Sequence, residues 1–227
     1  MVIPLLILVL LASSAGITIS HAVKPKVSRA WMIALISAMA AWLSIFVLRL
    51  YLPLNFALPP WKPDALFYSA PSLSITYENW PYAVSLVTLC TAVILTDSTR
   101  SFLPSSPNAW ASAIAITALN LIGLLAGDPL TLIFALVVID NIEFIHLYQN
   151  RLERDSDAGL AGFLSVRILS VMALAAGTIA GWKSMPAFEL TQIPQNAGIY
   201  FLLAAGLRLG VLPLSLTALN SKAAKHG

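Results

Sequence analysis

Seven stretches of nearly unbroken apolar residues, separated by short polar punctuation, organise the chain. They cover about 2–20, 30–50, 79–96, 109–126, 129–148, 160–182 and 197–219. Each is close to the ~20 residues that carry an α-helix across a ~30 Å hydrocarbon core. KPKVSR divides the first pair of stretches, TDSTRSFLPSSPN the third from the fourth, and QNRLERDSDAG the fifth from the sixth. Gly127, Asp128 and Pro129 predict a tight turn before the fifth stretch. The segment 51–78 is too polar and too rich in proline to span, and is expected to pack as an irregular outer cap.

Composition agrees with this pattern. Of 227 residues, 59% are hydrophobic and 10% charged, with a mean hydropathy of +0.84, whereas soluble domains carry roughly 25% charged residues. The expected fold is an all-α membrane protein, a single transmembrane domain over 1–227. The net charge of +3 comes from loop lysines and arginines and gives no sign of a nucleic-acid partner. Their placement orients the chain, because Lys and Arg gather in cytoplasmic loops. With the amino terminus outside, inner segments hold Lys24, Lys26, Arg29, Arg100, Arg151, Arg154, Lys222 and Lys225, and outer ones hold Arg49, Lys62 and Lys183. The carboxyl terminus is then cytoplasmic. The first stretch is expected to be a retained span and not a signal peptide, since its basic cluster follows the apolar run instead of preceding it. Trp61, Trp80, Trp110, Trp182, Tyr51, Tyr77 and Tyr82 fall near span ends, as interfacial anchors do. Cys90 lies inside an apolar run and reads as an inert buried thiol. The glycine pairs 123/127, 177/181 and 206/210 have the spacing that lets helices approach closely, a spacing that chance also supplies in so apolar a chain.

The candidate chemistry is what remains charged inside the apolar stretches. Asp140 stands about eleven residues into the fifth and Arg208 about eleven into the seventh, so the two share a depth. Glu143 follows Asp140 by three residues and lies on the same helical face, and His146 continues the line a turn further on. Arg167 stands about seven residues into the sixth stretch, nearer the inner surface. Charges at mid-bilayer are expensive and mark ion or proton pathways. The alternatives are a salt bridge that fastens the bundle, or, for Glu143, His146 and Arg167, snorkelling to the nearby surface. Pro213, five residues beyond Arg208, predicts a kink or break of the seventh helix close to the charge. No HExxH, metal-spaced His/Cys/Glu group or phosphate-binding glycine loop occurs, so no cofactor, no metal and no catalytic residue is assigned.

These residues carry a resemblance. AAGLRLGVLPLSL is similar to the seventh-helix signature of the antiporter-like membrane subunits of respiratory complex I, membrane-bound hydrogenases and multisubunit cation/proton antiporters. Arg208 stands at the place of the family's lysine, and Pro213-Leu214-Ser215 at that of its Pro-Leu-His. Ile139-Asp140 resembles the Trp-Glu pair of the fifth helix, Asp128 the aspartate that opens that element, and Arg167 with Ser170 falls in a sixth helix of the expected style. Family members are about twice as long, so the chain matches an amino-terminal half, either a fragment or a degenerate member. The resemblance implies a prokaryotic inner-membrane subunit of a proton- or cation-translocating assembly, such as an NADH-quinone oxidoreductase. Other membrane subunits are its implied partners, and redox modules on those chains its implied drive. It also implies that Asp140 modulates Arg208. A non-transporting structural or assembly subunit is the alternative, and an unrelated membrane-embedded enzyme a third. Arginine in place of lysine bears on the choice, because a guanidinium keeps its proton at any accessible pH.

Overall fold

A computed structural model describes residues 2–23, 30–59, 70–97, 107–151, 157–185 and 188–210, without the side chains of 146–151 and 157–161. Among the described residues the helices follow the expected order: α1 (Val2–Val23), α2 (Ala30–Leu48), α3 (Trp80–Asp97), α4 (Pro107–Leu124), α5 (Pro129–Arg151), α6 (Asp157–Ser184) and α7 (Gln195–Arg208). The protein is an all-α, multi-pass membrane protein. Five segments, α1, α2 with the turn after it, α3, α4 and Gly162–Ser184 of α6, are long and apolar enough to cross a bilayer. The contacts divide the chain into two compact units, Met1–Leu58 with Ser72–Ala126, and Pro59–Pro71 with Gly127–Gly227.

In the first unit α1 packs on α4 and α2, and α3 on α2 and α4. The helices are apolar on every side, as lipid-facing helices are, so small side chains decide which face turns inward. On α2 that face is Ala30, Ala34, Ala38 and Ala41, all at most 3% exposed. Opposite stand Leu6, Leu10 and Ile17 of α1, Val87 and Ile94 of α3, and Ile114 and Leu121 of α4. Polar side chains then tie the helices together where no water is present to do so. Ser14 Oγ donates to the Ala111 carbonyl at 2.7 Å. Trp31 Nε1 donates to the Ile94 carbonyl at 2.9 Å and Trp80 Nε1 to the Ile45 carbonyl at 2.8 Å. Both acceptors lie in the last turn of a helix, where carbonyls lack an intrahelical partner, so each indole satisfies a group that lipid would leave bare. Trp110 Nε1 donates to Asp97 Oδ2 at 2.5 Å. Trp80 and Trp110, near the ends of their helices, are therefore also interhelical struts. Trp61 lies outside the described residues.

The loop between α2 and α3 also departs from expectation. It begins with a 3₁₀ turn, Arg49–Tyr51, and contains an antiparallel ribbon of β1 (Leu54–Ala57) and β2 (Ser72–Ile75), with Leu54 opposite Ile75 and Ala57 opposite Ser72. The amide of Ser74 donates to the Leu125 carbonyl at 2.7 Å, joining the ribbon to the end of α4. LNFA and SLSI alternate apolar and polar residues at the two-residue period of a strand. Four residues are short enough for the surrounding prolines to mask that signal. Leu52 and Ile75 seat the ribbon on Ile3, Ile7 and Leu125.

The second unit is built on α6, which packs against α7 and α5. Asp128 opens α5 by accepting the amides of Leu130 and Thr131 at 3.0 and 3.1 Å, and the Thr131 hydroxyl donates to its other oxygen. The glycine pair 177/181 makes close packing. A Cβ at Gly177 would come within 2.9 Å of Tyr200 Cβ, and one at Gly181 would overlap the ring of the fully buried Phe188. Phe188 meets Phe201 of α7 edge-on at 6.4 Å. Asn196 Nδ2, in the first turn of α7, donates to the Ala180 carbonyl and to Ser184 Oγ, both at 2.7 Å. The amide of Leu190 donates to the Gly127 carbonyl at 3.0 Å, which brings the start of α7 to the same end as the start of α5.

Among the described residues α7 closes beside Arg208, where the sequence predicts a kink or break. Its last helical residue is Arg208, and Gly210 adopts φ +68°. The amides of Leu209 and Gly210 return to the carbonyls of Ala205 and Leu207 at 2.9 and 3.3 Å. A left-handed glycine with these return bonds is a helix stop in its own right. Gly210 thus ends the helix, and Pro213 lies outside the described residues.

Candidate functional site

The shared end of α5 and α7 fixes the depth of the buried charges. Asp140 is eleven residues from the start of α5 and Arg208 thirteen from the start of α7, distances of about 16 and 20 Å at 1.5 Å per residue. The two therefore stand at similar distances along their helices, and there the side chains meet. Arg208 Nη1 donates to Asp140 Oδ1 at 3.1 Å and Nη2 to Asp140 Oδ2 at 2.5 Å. This is the two-pronged fit of a planar guanidinium to a carboxylate, stronger and more directional than a lysine contact.

A second arginine extends the pair. Arg167 of α6 places Nη1 3.5 Å from Asp140 Oδ1 and donates from Nη2 to Glu143 Oε2 at 3.0 Å. Arg208, Asp140, Arg167 and Glu143 therefore form a chain of alternating sign and zero net charge, and α5 supplies both acids from adjacent turns. Exposure rises along it, from 15% and 11% for the side chains of Arg208 and Asp140 to 23% and 30% for Arg167 and Glu143. The gradient runs from the closed pair toward a more open end.

Neighbouring groups hold the arginines in place. Phe163, one turn before Arg167, lies under its guanidinium at 5.0 Å. Ser170, fully buried, donates to the Ala204 carbonyl at 3.1 Å and locks α6 to α7 one turn before Arg208. Arg208 is also the last residue of its helix, where the carbonyl end of the macrodipole favours a cation. Its Nε is buried and makes no hydrogen bond among the described residues.

Of the residues singled out in the sequence, the structure thus brings Asp140, Arg208, Glu143 and Arg167 into one cluster. His146 is on α5, but its side chain is outside the described set, as is Pro213. Arg167 bridges the two acids. Sequence reasoning missed Phe163. The signal was present, since an aromatic residue four positions before an arginine on a helix stacks beneath it.

No protein-family model matches the sequence, and no curated protein is similar to it. The fold does have a relative among solved structures. The chain is similar to one in the membrane-bound sulfane sulfur reductase (MBS), an archaeal respiratory membrane complex, with a TM-score of 0.72 and 15% sequence identity. The match covers 95% of this chain and 35% of the other, so this chain spans about a third of its neighbour's length. The likeness is one of fold.

Proposed function

We propose that the protein is a membrane subunit of a respiratory assembly that translocates protons or monovalent cations, and that the chain from Arg208 to Glu143 is its electrostatic centre. The observation that carries this reading is the two-pronged Arg208–Asp140 contact at mid-membrane depth, continued by Arg167 to a half-exposed acid. Membranes rarely tolerate such groups without use for them. The fold likeness to a chain of a respiratory membrane complex supports the setting. So does the sequence resemblance to the antiporter-like subunits, which also suggests a prokaryotic inner membrane, an outside amino terminus and other membrane subunits as partners.

In this mechanism Arg208 serves as a fixed positive charge and not as a carrier, because arginine does not release its proton. The mobile element is Arg167, which shares its guanidinium between Asp140 and Glu143. A proton arriving at Glu143 removes one of these two anions and leaves Arg167 to Asp140. A cation displaced at the exposed end is thereby felt at the closed one. His146, a turn beyond Glu143, continues the line toward the cytoplasm.

A second reading has a specific observation in its favour. Each of the four charges meets an opposite charge on another helix, so the chain also stitches α5, α6 and α7 together, as a structural or assembly subunit requires. Arg208→Lys and Arg208→Met separate the two, assayed as proton flux of the assembled complex in sealed vesicles beside thermal stability. Transport predicts altered flux in both variants. Unchanged flux in both, with lower stability in Arg208→Met, leaves only the structural role.

A further inference from the structure

Outside the charge chain, a further cation, Arg49, lies at the end of α2. Its nineteen residues span about 28 Å, nearly the hydrocarbon thickness, so Arg49 in the turn that follows stands at headgroup level. Among the described residues Arg49 forms no ion pair. Its guanidinium is instead held 4.9 Å from the centre of the Trp80 ring. That ring is itself fixed by its bond to the Ile45 carbonyl. A guanidinium resting on an aromatic face is oriented at little entropic cost, and its N–H donors remain available to an acceptor.

Below it, toward the membrane centre, an aromatic strip continues. Phe46 tilts against Trp80 at 6.4 Å and stacks on Trp42 at 5.7 Å. Trp42 is anchored through Nε1 to Thr88 Oγ1 at 2.9 Å. Phe46 and its neighbours Leu43 and Val47 are all half-exposed. A fixed cation at headgroup height above a rigid apolar strip of about 10 Å, seven residues of helix, has the polarity and proportions of one phospholipid: an anionic head, then an acyl chain.

We propose that Arg49, held on Trp80, binds the phosphate of an anionic glycerophospholipid whose acyl chain lies along Phe46 and Trp42. The anion is specified by charge complementarity, since a zwitterionic head brings its own cation to an arginine that has no negative partner among the described residues. Planar, forked N–H donors suit a phosphate's oxygens.

The test is native mass spectrometry of the purified protein in neutral detergent, titrated in turn with phosphatidylglycerol, phosphatidylcholine and inorganic phosphate. Wild type should retain one more phosphatidylglycerol than Arg49→Gln. That step should weaken about five-fold, the effect of one basic side chain at an anionic surface, with phosphatidylcholine binding unchanged. Phe46→Ala, at an exposed position, should weaken both lipids alike. Inorganic phosphate at millimolar concentration should neither bind nor displace the lipid. Equal retention of phosphatidylglycerol by Arg49→Gln overturns the proposal. Displacement by inorganic phosphate also overturns it, because the site would then be an anion site and not a lipid one. The Arg49 side chain is exposed, so the variant is expected to fold, and an unchanged thermal transition checks this.

Discussion

Asp140 and Arg208 are partners but not equals, and the difference is measurable. Asp140 faces two guanidinium groups, with nitrogens at 2.5 and 3.1 Å from Arg208 and 3.5 Å from Arg167. Arg208 faces one carboxylate. Replacing Asp140 by Asn strips both arginines of an anion and leaves the chain at a net charge of +1 in a dry setting. Breaking a buried pair from one side typically costs about 3–5 kcal/mol. Arg208→Met removes the cation but leaves Asp140 with Arg167, so the loss is closer to that of a charged hydrogen bond, about 1.5–3 kcal/mol. The double variant Asp140→Asn/Arg208→Met should then cost less than the two single losses added, by about 1–3 kcal/mol of coupling. The assay is equilibrium unfolding in mixed micelles, in which a denaturing detergent is titrated and helix content followed by circular dichroism. Arg208→Met costing as much as Asp140→Asn would refute the shared-acid arrangement. Strict additivity would mean that the two residues do not interact in the membrane.

The packing makes further predictions on the same assay. Gly177→Ala and Gly181→Ala put a methyl group against Tyr200 and Phe188 and should destabilise by about 1–3 kcal/mol, whereas Gly16→Ala, which meets nothing within 4 Å, should be neutral or gain about 0.5–1 kcal/mol. Equal effects at Gly16 and Gly181 would show that helix propensity, not close approach, governs these sites. Trp31→Phe keeps most of the ring volume but leaves the Ile94 carbonyl without the indole donor; it should cost about 0.5–1.5 kcal/mol, and no change would remove the strut role given to the indole.

What the sequence revealed, and what it hid, follows from where each signal is physically generated. Asp140 and Arg208 were legible because a charge deep in an apolar run has few acceptable surroundings, and counting residues from a helix start converts directly into depth. Arg167 was legible as a charge inside the sixth run, but its bridge between two acids of α5 was not, because a residue count gives position along a helix and not which neighbour a face meets. α6 itself begins at Asp157, three residues before the apolar run. The glycine-rich start, Asp157-Ala158-Gly159, looked like loop, yet an aspartate there suits the positive end of a helix dipole. The tryptophans were ambiguous for another reason. An indole near a span end can point to headgroups or to an orphan carbonyl of the next helix, and only packing decides between them.

Close to Arg208, where Pro213 predicts a break, the described chain turns at Gly210, whose positive φ closes α7 two residues after the arginine. The turn has a mechanical consequence. A proline kink would leave Arg208 in the middle of a continuous helix, where the dipole gives it no preferred end. A glycine stop puts the same guanidinium at the carbonyl terminus, where the helix itself helps to hold a cation. The charge chain therefore begins at a helix end, with the α7 dipole added to Asp140 in retaining Arg208. A lysine at this position would draw on the same dipole while keeping a proton it can give up. Arginine keeps the electrostatics and forgoes the transfer, which is why Arg208→Lys and Arg208→Met together distinguish a pathway from a clasp.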